Sequence, residues 1–417
     1  MRRGLIGRLS ETTSFVLSHL CWFAKLAKIV STGGQRVRIT CNVVGMVAYC
    51  LLKTAQEADR EVGLMKKILL TSVSGPLGTG VINAIRAMDE PWHIIGLDSN
   101  PVYFLMADVY EKHLVPRIDH ELFYDVVRQI VSETQPDFFW PLHDNEMPTF
   151  AGMHDLDVPM FLPSPEAFEI TQDKMAAYEH FKQHAVPVPD TMFVNTRDDL
   201  EVAMERFNGD VWLRSHRGAG GKGALRVSDI NTAISWLDMN DGWGSFTASE
   251  RITGADSVVE TVWNRGELVF AQGRTRKRGT PGNLREPRRY RRASTVGAPP
   301  EVNDVGLKAI RSVMAKPHGI FFADQKIDSN GLPRVTEVNT GRFSSNGSIY
   351  WFDKGPNLAE IVIKLGMGQK LDINVPLINP LPEDLYRLSG DDIPFKYVRQ
   401  DATRPLEAEL EQRLSRL

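Results

Sequence analysis

Three oxygen-bearing side chains near the C-terminal end have the types and spacing of a magnesium site. Asp324 precedes the turn Ser329-Asn330-Gly331, and Glu337 and Asn339 follow it. An Asn-Gly pair between two alternating segments is a strong hairpin signal. Glu337 and Asn339 are two residues apart and share a face of their strand, and Asp324 can reach that face across the turn. Such oxygen ligands suit Mg²⁺, with Mn²⁺ as a substitute, bound together with nucleotide phosphates.

The same pattern also fits a surface-exposed hairpin face that binds nothing. Phe321, Phe322 and Val335 are apolar, however, and indicate that the hairpin is buried. Carboxylates in a buried hairpin need a cation or another partner. The hairpin therefore favours a metal site over an exposed face.

A glycine-rich loop upstream could hold the phosphates. Residues Arg217 to Gly223 contain four glycines and Lys222. Glycine lets backbone N–H groups point at a phosphate, and lysine adds a cation. Predicted strands at 211–214 and 224–227 flank the loop, which favours a flap over a phosphate, and the Walker A spacing is absent. A flexible hairpin tip is the alternative, but together with the acidic hairpin the loop indicates an ATP-dependent enzyme.

Alternating strands and helices precede this region. Apolar strands are predicted at 67–72, 94–98 and 137–142, with one helix ending at Met88 and another over 123–133. This alternation is typical of a parallel, doubly wound sheet. The helices and hairpin strands that follow predict an α+β region after it.

The turns at the ends of these strands carry further polar residues. Gly75 to Gly80, with Asp98 further on, loosely resembles a dinucleotide fingerprint, although the glycine spacing is not the standard one. Asp144 and Glu146 follow the strand that ends at Leu142, where open α/β sheets bind ligands. These two acids could face a substrate or only cap the next helix.

The composition is that of an ordinary globular protein of two or three domains. The chain has 417 residues, of which 42% are hydrophobic and 24% charged. Its net charge of −3 gives no overall drive toward nucleic acid. Cys21, Cys41 and Cys50 are its three cysteines. We therefore expect no disulfide framework or thiolate zinc site in the main body, and a cytoplasmic location.

Residues 1–64 differ from the rest. Several arginines and lysines face a lone acid, Glu11, before position 40. The apolar runs Phe15–Ala27 and Val43–Leu52 are shorter than the roughly 18 residues that span a bilayer, so no transmembrane span is expected. A targeting segment or a membrane-surface helix fits this composition, and so does a poorly ordered extension. Met65 directly precedes the first predicted strand and is a natural start.

Four motifs occur in an order that resembles the ATP-grasp superfamily, and within it the branch similar to the large subunit of carbamoyl phosphate synthase. They are Asp173-Lys174 at a helix start, the strand 211–214 with the glycine loop, Ser249–Gly254, and the acidic hairpin. The resemblance implies a Rossmann-like preATP-grasp domain followed by a two-lobed ATP-grasp fold. The implied divisions are an extension at 1–64, the Rossmann-like domain at 65–162, the small lobe at 163–245, the large lobe at 246–370 and a C-terminal tail at 371–417.

The resemblance implies that the lobes hold ATP between them, with its phosphates under the glycine loop. Lys174 and Arg214 would contact the phosphates. The loop residues that would close over them are Gly220, Gly221, Lys222 and Gly223. Arg214 stands where many members have lysine, but arginine still offers planar phosphate recognition.

The resemblance also implies a hinge that meets adenine. Glu250, Arg251 and Ile252 would form this hinge. Asp256 occupies the place of an acid that usually holds the ribose hydroxyls. It is one carbon shorter than the usual glutamate.

By the same resemblance, Asp324, Glu337 and Asn339 would bind one or two Mg²⁺ ions, and Arg342 would stabilise the transferring phosphoryl group. The segment Thr340-Gly341-Arg342 replaces the common Pro-Arg after the asparagine, which shifts the arginine by one position. Neutralisation of Glu337 is therefore an alternative role for Arg342.

The most basic stretch of the chain is predicted to be a long loop over 274–292. It contains nine arginines and lysines and one acid, Glu286. Such a loop could be a solvated segment, or a lid that captures a carboxylate or phosphate-bearing substrate, with Arg276 and Arg278 nearest the site. Nucleic-acid binding would require interleaved aromatic residues, and Tyr290 alone is present.

These features together predict an ATP-dependent ligase that joins a carboxylate to an amine through an acylphosphate. Its expected partners are small-molecule carboxylate and amine substrates, and a homodimer is a reasonable expectation for the family. Two alternatives remain open, a nucleotide-binding regulatory protein without turnover and an NAD-dependent oxidoreductase that uses the first domain. The oxidoreductase would leave the acidic hairpin unexplained.

Overall fold

The computed structural model describes residues 65–218, 223–277, 292–344 and 355–381, together with short stretches of the C-terminal tail. Those stretches are 383, 385–389, 396–399, 401, 404–405 and 408. The chain divides into two units, Met1–Lys66 and Lys67–Leu417. The predicted extension, residues 1–64, lies outside the described residues, so the fold given below is essentially that of the second unit.

The first sheet is parallel, as the alternation of strands and helices predicted. Its strands are β1 (Lys66–Leu70), β2 (Trp92–Asp98), β3 (Glu111–Leu114) and β4 (Phe138–Trp140), in the order β3-β2-β1-β4. The helices of this region are α1 (Pro76–Arg86), α2 (Pro101–Phe104), α3 (Phe123–Thr134) and α4 (Met147–Gly152). Leu69, Ile95 and Phe139 are fully buried, as expected for strands covered on both faces.

The glycines of the first turn have a packing role. Helix α1 begins at Pro76, directly after Gly75. A Cβ at Gly78 would lie 2.6 Å from the carbonyl oxygen of Val73, so only glycine allows the helix to approach the strand end this closely. The carboxylate of Asp98 accepts hydrogen bonds from the backbone N–H groups of Ser74 (3.0 Å) and Asn100 (2.9 Å). Close packing and loop geometry therefore account for the features that resembled a dinucleotide fingerprint.

The second sheet is antiparallel and carries the glycine loop. Its strands are β5 (Thr191–Val194), β6 (Val211–Ser215), β7 (Leu225–Val227) and β8 (Phe246–Glu250), in the order β5-β8-β6-β7. The helices before and between these strands are α5 (Pro165–Gln172), α6 (Lys174–Gln183), α7 (Arg197–Arg206) and α8 (Ile230–Met239). Strands β6 and β7 pair antiparallel, which confirms that strands flank the loop on both sides.

The third sheet is the largest and contains the acidic hairpin. Its strands are β9 (Asp256–Asn264), β10 (Glu267–Lys277), β11 (Arg292–Val296), β12 (Gly319–Ile327), β13 (Pro333–Thr340), β14 (Leu377–Ile378), β15 (Leu385–Ser389) and β16 (Lys396–Arg399). They run in the order β13-β12-β9-β10-β11-β15-β16, and β14 pairs with β10. Two further helices are α9 (Pro300–Val313) and α10 (Leu358–Gly366).

Helix α9 covers one face of this sheet. Val259, Ala323 and Val338 share an apolar core with Ala309 of the helix. A Cβ at Gly306 would lie 2.1 Å from Cγ1 of Val259, so glycine is needed for the helix to pack this closely. Because successive side chains of a strand point to opposite faces, the residues that alternate with these apolar ones lie on the sheet face away from α9.

The structure differs from the sequence prediction in the last part of the chain. The sequence predicted a proline-spaced tail after residue 370, whereas β14, β15 and β16 add strands to the large sheet. The predicted basic loop is also shorter, because β10 runs to Lys277 and β11 begins at Arg292. The remainder of that loop, 278–291, lies outside the described residues. None of the described helices is both long and apolar enough to cross a membrane.

Candidate functional site

The hairpin brings the three predicted metal ligands onto one face of the large sheet. Asp324 and Glu337 are direct cross-strand partners, and Asn339 pairs with Phe322 on the same face. The register shifts after Asp324, and the hydroxyl of Thr336 donates a hydrogen bond to the backbone oxygen of Asp324 (3.1 Å). Side chains of such partners have Cβ atoms about 5 Å apart, close enough to share one ion. Glu337 is about one-third exposed, so the site is open to solvent and does not lie in the core.

The metal set contains two carboxylates and one amide. In the described ranges, no group of three or more histidine, cysteine, aspartate or glutamate side chains could hold a metal ion. Because these three side chains fill only part of an octahedral Mg²⁺ coordination shell, several coordination positions remain for phosphate oxygens and water. The donor set therefore fits Mg²⁺ that is bound together with a phosphate ligand.

Lys174 joins three parts of the site. It is the first residue of α6, its ammonium nitrogen lies 3.7 Å from Oε1 of Glu337, and it donates to the backbone oxygen of Gly218 (2.7 Å). Its side chain is only 11% exposed. Burial lowers the pKa of Lys174, and the charge of Glu337 opposes this shift. The lysine is thus a buried cation between the helix, the glycine loop and the hairpin.

Arg214 of β6 brings a second cation from the small sheet. One Nη atom donates to the backbone oxygen of Thr336 (3.1 Å), which places the guanidinium beside the hairpin. Burial lowers the pKa of Arg214, and Glu337 opposes this shift. Within the described part of the chain, the buried Nε has no hydrogen-bond partner. An unsatisfied buried guanidinium donor fits an anionic ligand that would complete its bonding.

Asp173 anchors the start of the glycine loop to helix α6. One carboxylate oxygen caps the helix by accepting the backbone N–H groups of Met175 and Ala176. The other accepts from Nδ1 of His216 (2.9 Å) and Nε of Arg217 (3.2 Å). Burial raises the pKa of Asp173, but these hydrogen bonds and the charge of His216 outweigh it and lower the pKa overall.

The described part of the glycine loop comprises its two ends. Gly218 and Gly223 have φ values of 101° and 74°, which L side chains rarely adopt. A Cβ at Gly223 would also lie 3.0 Å from the ring of Phe246. Gly220, Gly221 and Lys222 lie outside the described residues, so their phosphate contacts stay a prediction.

The predicted adenine hinge links the small sheet to the large one. Glu250 ends β8 and accepts the backbone N–H of Asp190 (2.8 Å), and Arg251 binds Asp210 through Nε (2.7 Å). Ile252 is buried. The side chains of both charged hinge residues are therefore engaged within the protein, so backbone atoms and Ile252 are the groups left for adenine.

Asp256, the predicted ribose acid, forms an ion pair with Lys326 of β12. Its backbone pairs with the same residue across the sheet. Both side chains are about one-third exposed. A ribose contact would have to share the carboxylate with this lysine, and the role of Asp256 stays a prediction.

Arg342 connects the hairpin with the parallel sheet. Its guanidinium pairs with the carboxylate of Asp144, with Nη2 2.9 Å from Oδ2, and reaches Oδ1 of Asn339 at 3.4 Å. It also lies over the ring of Phe322, 5.1 Å from the centroid. The sequence allowed neutralisation of Glu337 as an alternative role for Arg342. In the structure, the carboxylate that pairs with Arg342 is that of Asp144.

A buried ion pair on the same sheet face was not recognised in the sequence. Arg274 and Glu260 are 4% and 0% exposed, and Nη2 of Arg274 lies 3.1 Å from Oε1 of Glu260. Ser344 accepts from Arg274 (2.7 Å) and donates to Glu260. The sequence placed Arg274 in a loop, although a lone acid inside the apolar strand β9 was a signal for a buried partner.

The two predicted substrate arginines are only partly described. Arg276 belongs to β10, opposite Ser294 of β11, and lies two residues after Arg274 on the same sheet face. Its side chain is not among those described. Arg278 lies outside the described residues. Contact of either arginine with a substrate remains a prediction.

A pocket opens at the carboxyl edge of the parallel sheet. It encloses about 130 Å³. Residues with polar or charged side chains in its wall are Thr71, Ser72, Asp98, Ser99, Arg117, His143 and Glu146. This is the edge at which open α/β sheets bind ligands.

Glu146 is the buried acid of this pocket. Its Oε1 accepts hydrogen bonds from the hydroxyl of Thr71 and from the backbone N–H groups of Leu142 (3.1 Å) and His143 (2.9 Å). Burial, aided by the nearby charge of Asp144, outweighs these bonds and raises the pKa of Glu146 to about 7. Glu146 lines the pocket, and its side chain makes no capping hydrogen bond to α4.

The raised pKa of Glu146 predicts a pH-dependent cost to stability. The shift from 4.5 to about 7 corresponds to about 3 kcal/mol. Below pH 4.5 the carboxyl group is protonated in both the folded and unfolded states, and the cost grows as the pH rises from the unfolded pKa of 4.5 to the folded pKa of about 7. We expect Glu146→Gln, whose amide oxygen can accept the same hydrogen bonds, to be more stable than the wild type at pH 8. Urea unfolding at pH 5 and pH 8 measures this, and an equal difference at both pH values would contradict it.

No protein-family model matches the sequence, and no curated protein matches it. Among solved structures, the L-amino acid ligase from Bacillus licheniformis has a TM-score of 0.60 at 16% identity, covering 78% of this chain and 79% of the ligase.

Two further solved structures show the same likeness. The biotin carboxylase domain of the 2-oxoglutarate carboxylase from Hydrogenobacter thermophilus has a TM-score of 0.60 at 15% identity, covering 78% of this chain and 73% of its own. The N5-carboxyaminoimidazole synthase from Aspergillus clavatus has a TM-score of 0.57 at 12% identity, covering 78% and 81%. All three are ATP-grasp enzymes. The described part of this chain therefore has the ATP-grasp fold, with a Rossmann-like parallel sheet in front of two antiparallel sheets, as its motifs predicted.

Proposed function

We propose that this protein is an ATP-dependent ligase that joins a carboxylate to an amine through an acylphosphate and releases ADP and phosphate. The observation that carries the proposal is the meeting of Lys174 and Arg214 with the face formed by Asp324, Glu337 and Asn339. Two half-buried cations beside two carboxylates and an amide suit a phosphate chain with its metal ion. The similar structures include an L-amino acid ligase and a carboxylase domain with MgADP, ADP and bicarbonate.

We propose that residues from both the second and the third sheet bind ATP. Lys174 and Arg214 would hold the phosphates, and Gly220, Gly221, Lys222 and Gly223 would close over them. The segment from Glu250 to Ile252 would meet adenine through its backbone and Ile252. Asp324, Glu337 and Asn339 would hold Mg²⁺, which when bound neutralises phosphate charge during phosphoryl transfer.

The reaction is proposed to proceed by positioning and charge stabilisation. The substrate carboxylate would attack the γ-phosphorus of ATP to give an acylphosphate and ADP, and the amine would then displace phosphate. Arg342 would stabilise the charge that develops on the transferring group, held in place by Asp144 and the ring of Phe322. Arg276 and Arg278 would capture the carboxylate. No side-chain nucleophile is required.

The test measures ADP release from Mg²⁺-ATP with the common amino acids and small carboxylates, with and without hydroxylamine. Hydroxylamine traps an acylphosphate as a hydroxamate. Carboxylate-dependent ADP release with hydroxamate formation is the expected result. Binding of ATP without turnover in any mixture would favour a nucleotide-binding regulatory protein, and failure to bind ATP would overturn the proposal. Light scattering would show whether the chain dimerises like the carboxylase domain.

The anchor of the glycine loop gives a separate prediction. Asp173→Asn keeps an oxygen that can cap α6 but removes the charge that holds His216 and Arg217. We expect the KM for ATP to rise about fivefold, equivalent to about 1 kcal/mol, because the loop would close less readily. Steady-state kinetics checks this, with the exposed Asp198→Asn on α7 as a control. An unchanged KM would show that the anchor does not order the loop.

A further inference from the structure

The pocket at the carboxyl edge of the parallel sheet has no assigned ligand. The strand order β3-β2-β1-β4 reverses between β1 and β4, and this reversal is the point at which open sheets form a binding crevice. The pocket volume of about 130 Å³ far exceeds the roughly 15 Å³ that one water molecule needs. It therefore has room for a small polar group of a ligand.

Glu146 presents an unused oxygen in this pocket. The three hydrogen bonds it accepts from Thr71, Leu142 and His143 all end on Oε1. Within the described part of the chain, no group donates to Oε2. Glu146 is 2% exposed, so solvent access to it is confined to the pocket. In a residue that is otherwise buried, a carboxylate oxygen that accepts no hydrogen bond from the described residues fits a ligand that donates hydrogen bonds.

The charge of the pocket wall also favours a cationic ligand. Asp98 and Glu146 in the wall are acidic. Arg117 is the positively charged residue of the wall, but its side chain is 77% exposed and pairs with Asp119. The pocket is therefore suited to an amine rather than to a carboxylate or phosphate.

The turn that carries Glu146 links the pocket to the proposed reaction centre. His143 and Glu146 line the pocket, and Asp144 between them binds Arg342. Arg342 in turn contacts Asn339 of the acidic hairpin. One short turn thus contacts both the pocket and the arginine proposed to stabilise the transferring group.

We propose that this pocket receives the amine of the nucleophilic substrate and that Glu146 accepts its proton. This inference rests on the proposed ligase function. The ammonium group would donate to Oε2 and transfer one proton to it, leaving a neutral amine with a free electron pair. The amine nitrogen would then bond to the acyl carbon while the bond from that carbon to the phosphate oxygen breaks. Phosphate leaves with the bonding pair, and the second amine proton passes to the departing phosphate.

The experiment compares a protonated nucleophile with a neutral one. Hydroxylamine is uncharged near neutral pH and needs no proton acceptor before it attacks, whereas amino acids carry an ammonium group. The carboxylate that supports hydroxamate formation is supplied with each common amino acid in turn. The rates of amide product and hydroxamate are measured for the wild type, for Glu146→Gln and for the exposed control Glu121→Gln.

We expect the ratio of amide product to hydroxamate to fall roughly a hundredfold in Glu146→Gln and to stay at the wild-type value in Glu121→Gln. The hydroxamate rate of each variant shows whether it is folded. An unchanged ratio, or wild-type enzyme that makes hydroxamate but uses no amine, would overturn the assignment of the pocket. Wild-type enzyme that makes no hydroxamate would instead overturn the ligase function on which this inference rests.

Discussion

Glu337→Gln is expected to lower ATP-dependent turnover by about 10²- to 10³-fold. Glu337 is the cross-strand partner of Asp324 and lies 3.7 Å from the ammonium of Lys174. The substitution removes a charged metal ligand at the place where phosphate charge must be neutralised. A loss of about 3–4 kcal/mol of transition-state stabilisation gives a rate change of this size. Steady-state ADP release over a range of Mg²⁺ concentrations measures the effect.

The dependence of the rate on Mg²⁺ concentration distinguishes two roles of Glu337, a ligand of the metal ion and a charge that only positions other residues. If Glu337 binds Mg²⁺, the variant will need a higher Mg²⁺ concentration for half-maximal rate. Glu267→Gln is the matched control, because Glu267 lies in the same sheet and is exposed. A variant that loses turnover with an unchanged Mg²⁺ requirement would argue that Glu337 acts through Lys174 instead.

Arg342→Lys is expected to reduce kcat by roughly 10³-fold, in the range measured for arginines that stabilise phosphoryl transfer. Lysine keeps the charge but cannot form the forked contact that Arg342 makes with Asp144, and it stacks less well on Phe322. Because the proposed role concerns the transition state, kcat should fall while the KM for ATP changes little.

The partner of Arg342 offers a second variant on the same contact. Asp144→Asn leaves the arginine in place but weakens its orientation, so we expect a smaller fall in kcat with the same unchanged KM. The exposed Arg197→Lys on α7 serves as the control for an arginine outside the site. A rise in the KM for ATP without a change in kcat would assign Arg342 to ground-state binding of the phosphates.

The sequence alone determined the elements that depend on neighbouring residues. The strands predicted at 211–214 and 224–227 lie where the structure has β6 and β7, and the Asn-Gly turn correctly placed the hairpin that brings Asp324 opposite Glu337. Strand period, turn residues and helix caps are local signals, so a short window of sequence is enough to read them. Helix α9 begins at Pro300, and a proline in the first turn is a local start signal of this kind.

The tertiary structure alone decided which distant groups meet. Arg342 and Asp144 are 198 positions apart, and no local pattern in either segment indicates that these two residues meet. The same holds for Arg274 and Glu260, which the register of β9 and β10 brings together, and for Ser344, which reaches them from the segment after β13.

The backbone pairing of the C-terminal strands β14 and β15 could not be read from local sequence either. Leu377 pairs with Phe270, and β15 pairs with β11, although neither tail segment has the length or alternation of a clear strand. Their partners are hydrogen-bonding groups of a sheet formed by other parts of the chain. The types of the motifs and their order along the chain can therefore be read from the sequence alone. Pairing across the fold depends on which surfaces come together when apolar area is buried, and that is a property of the whole chain.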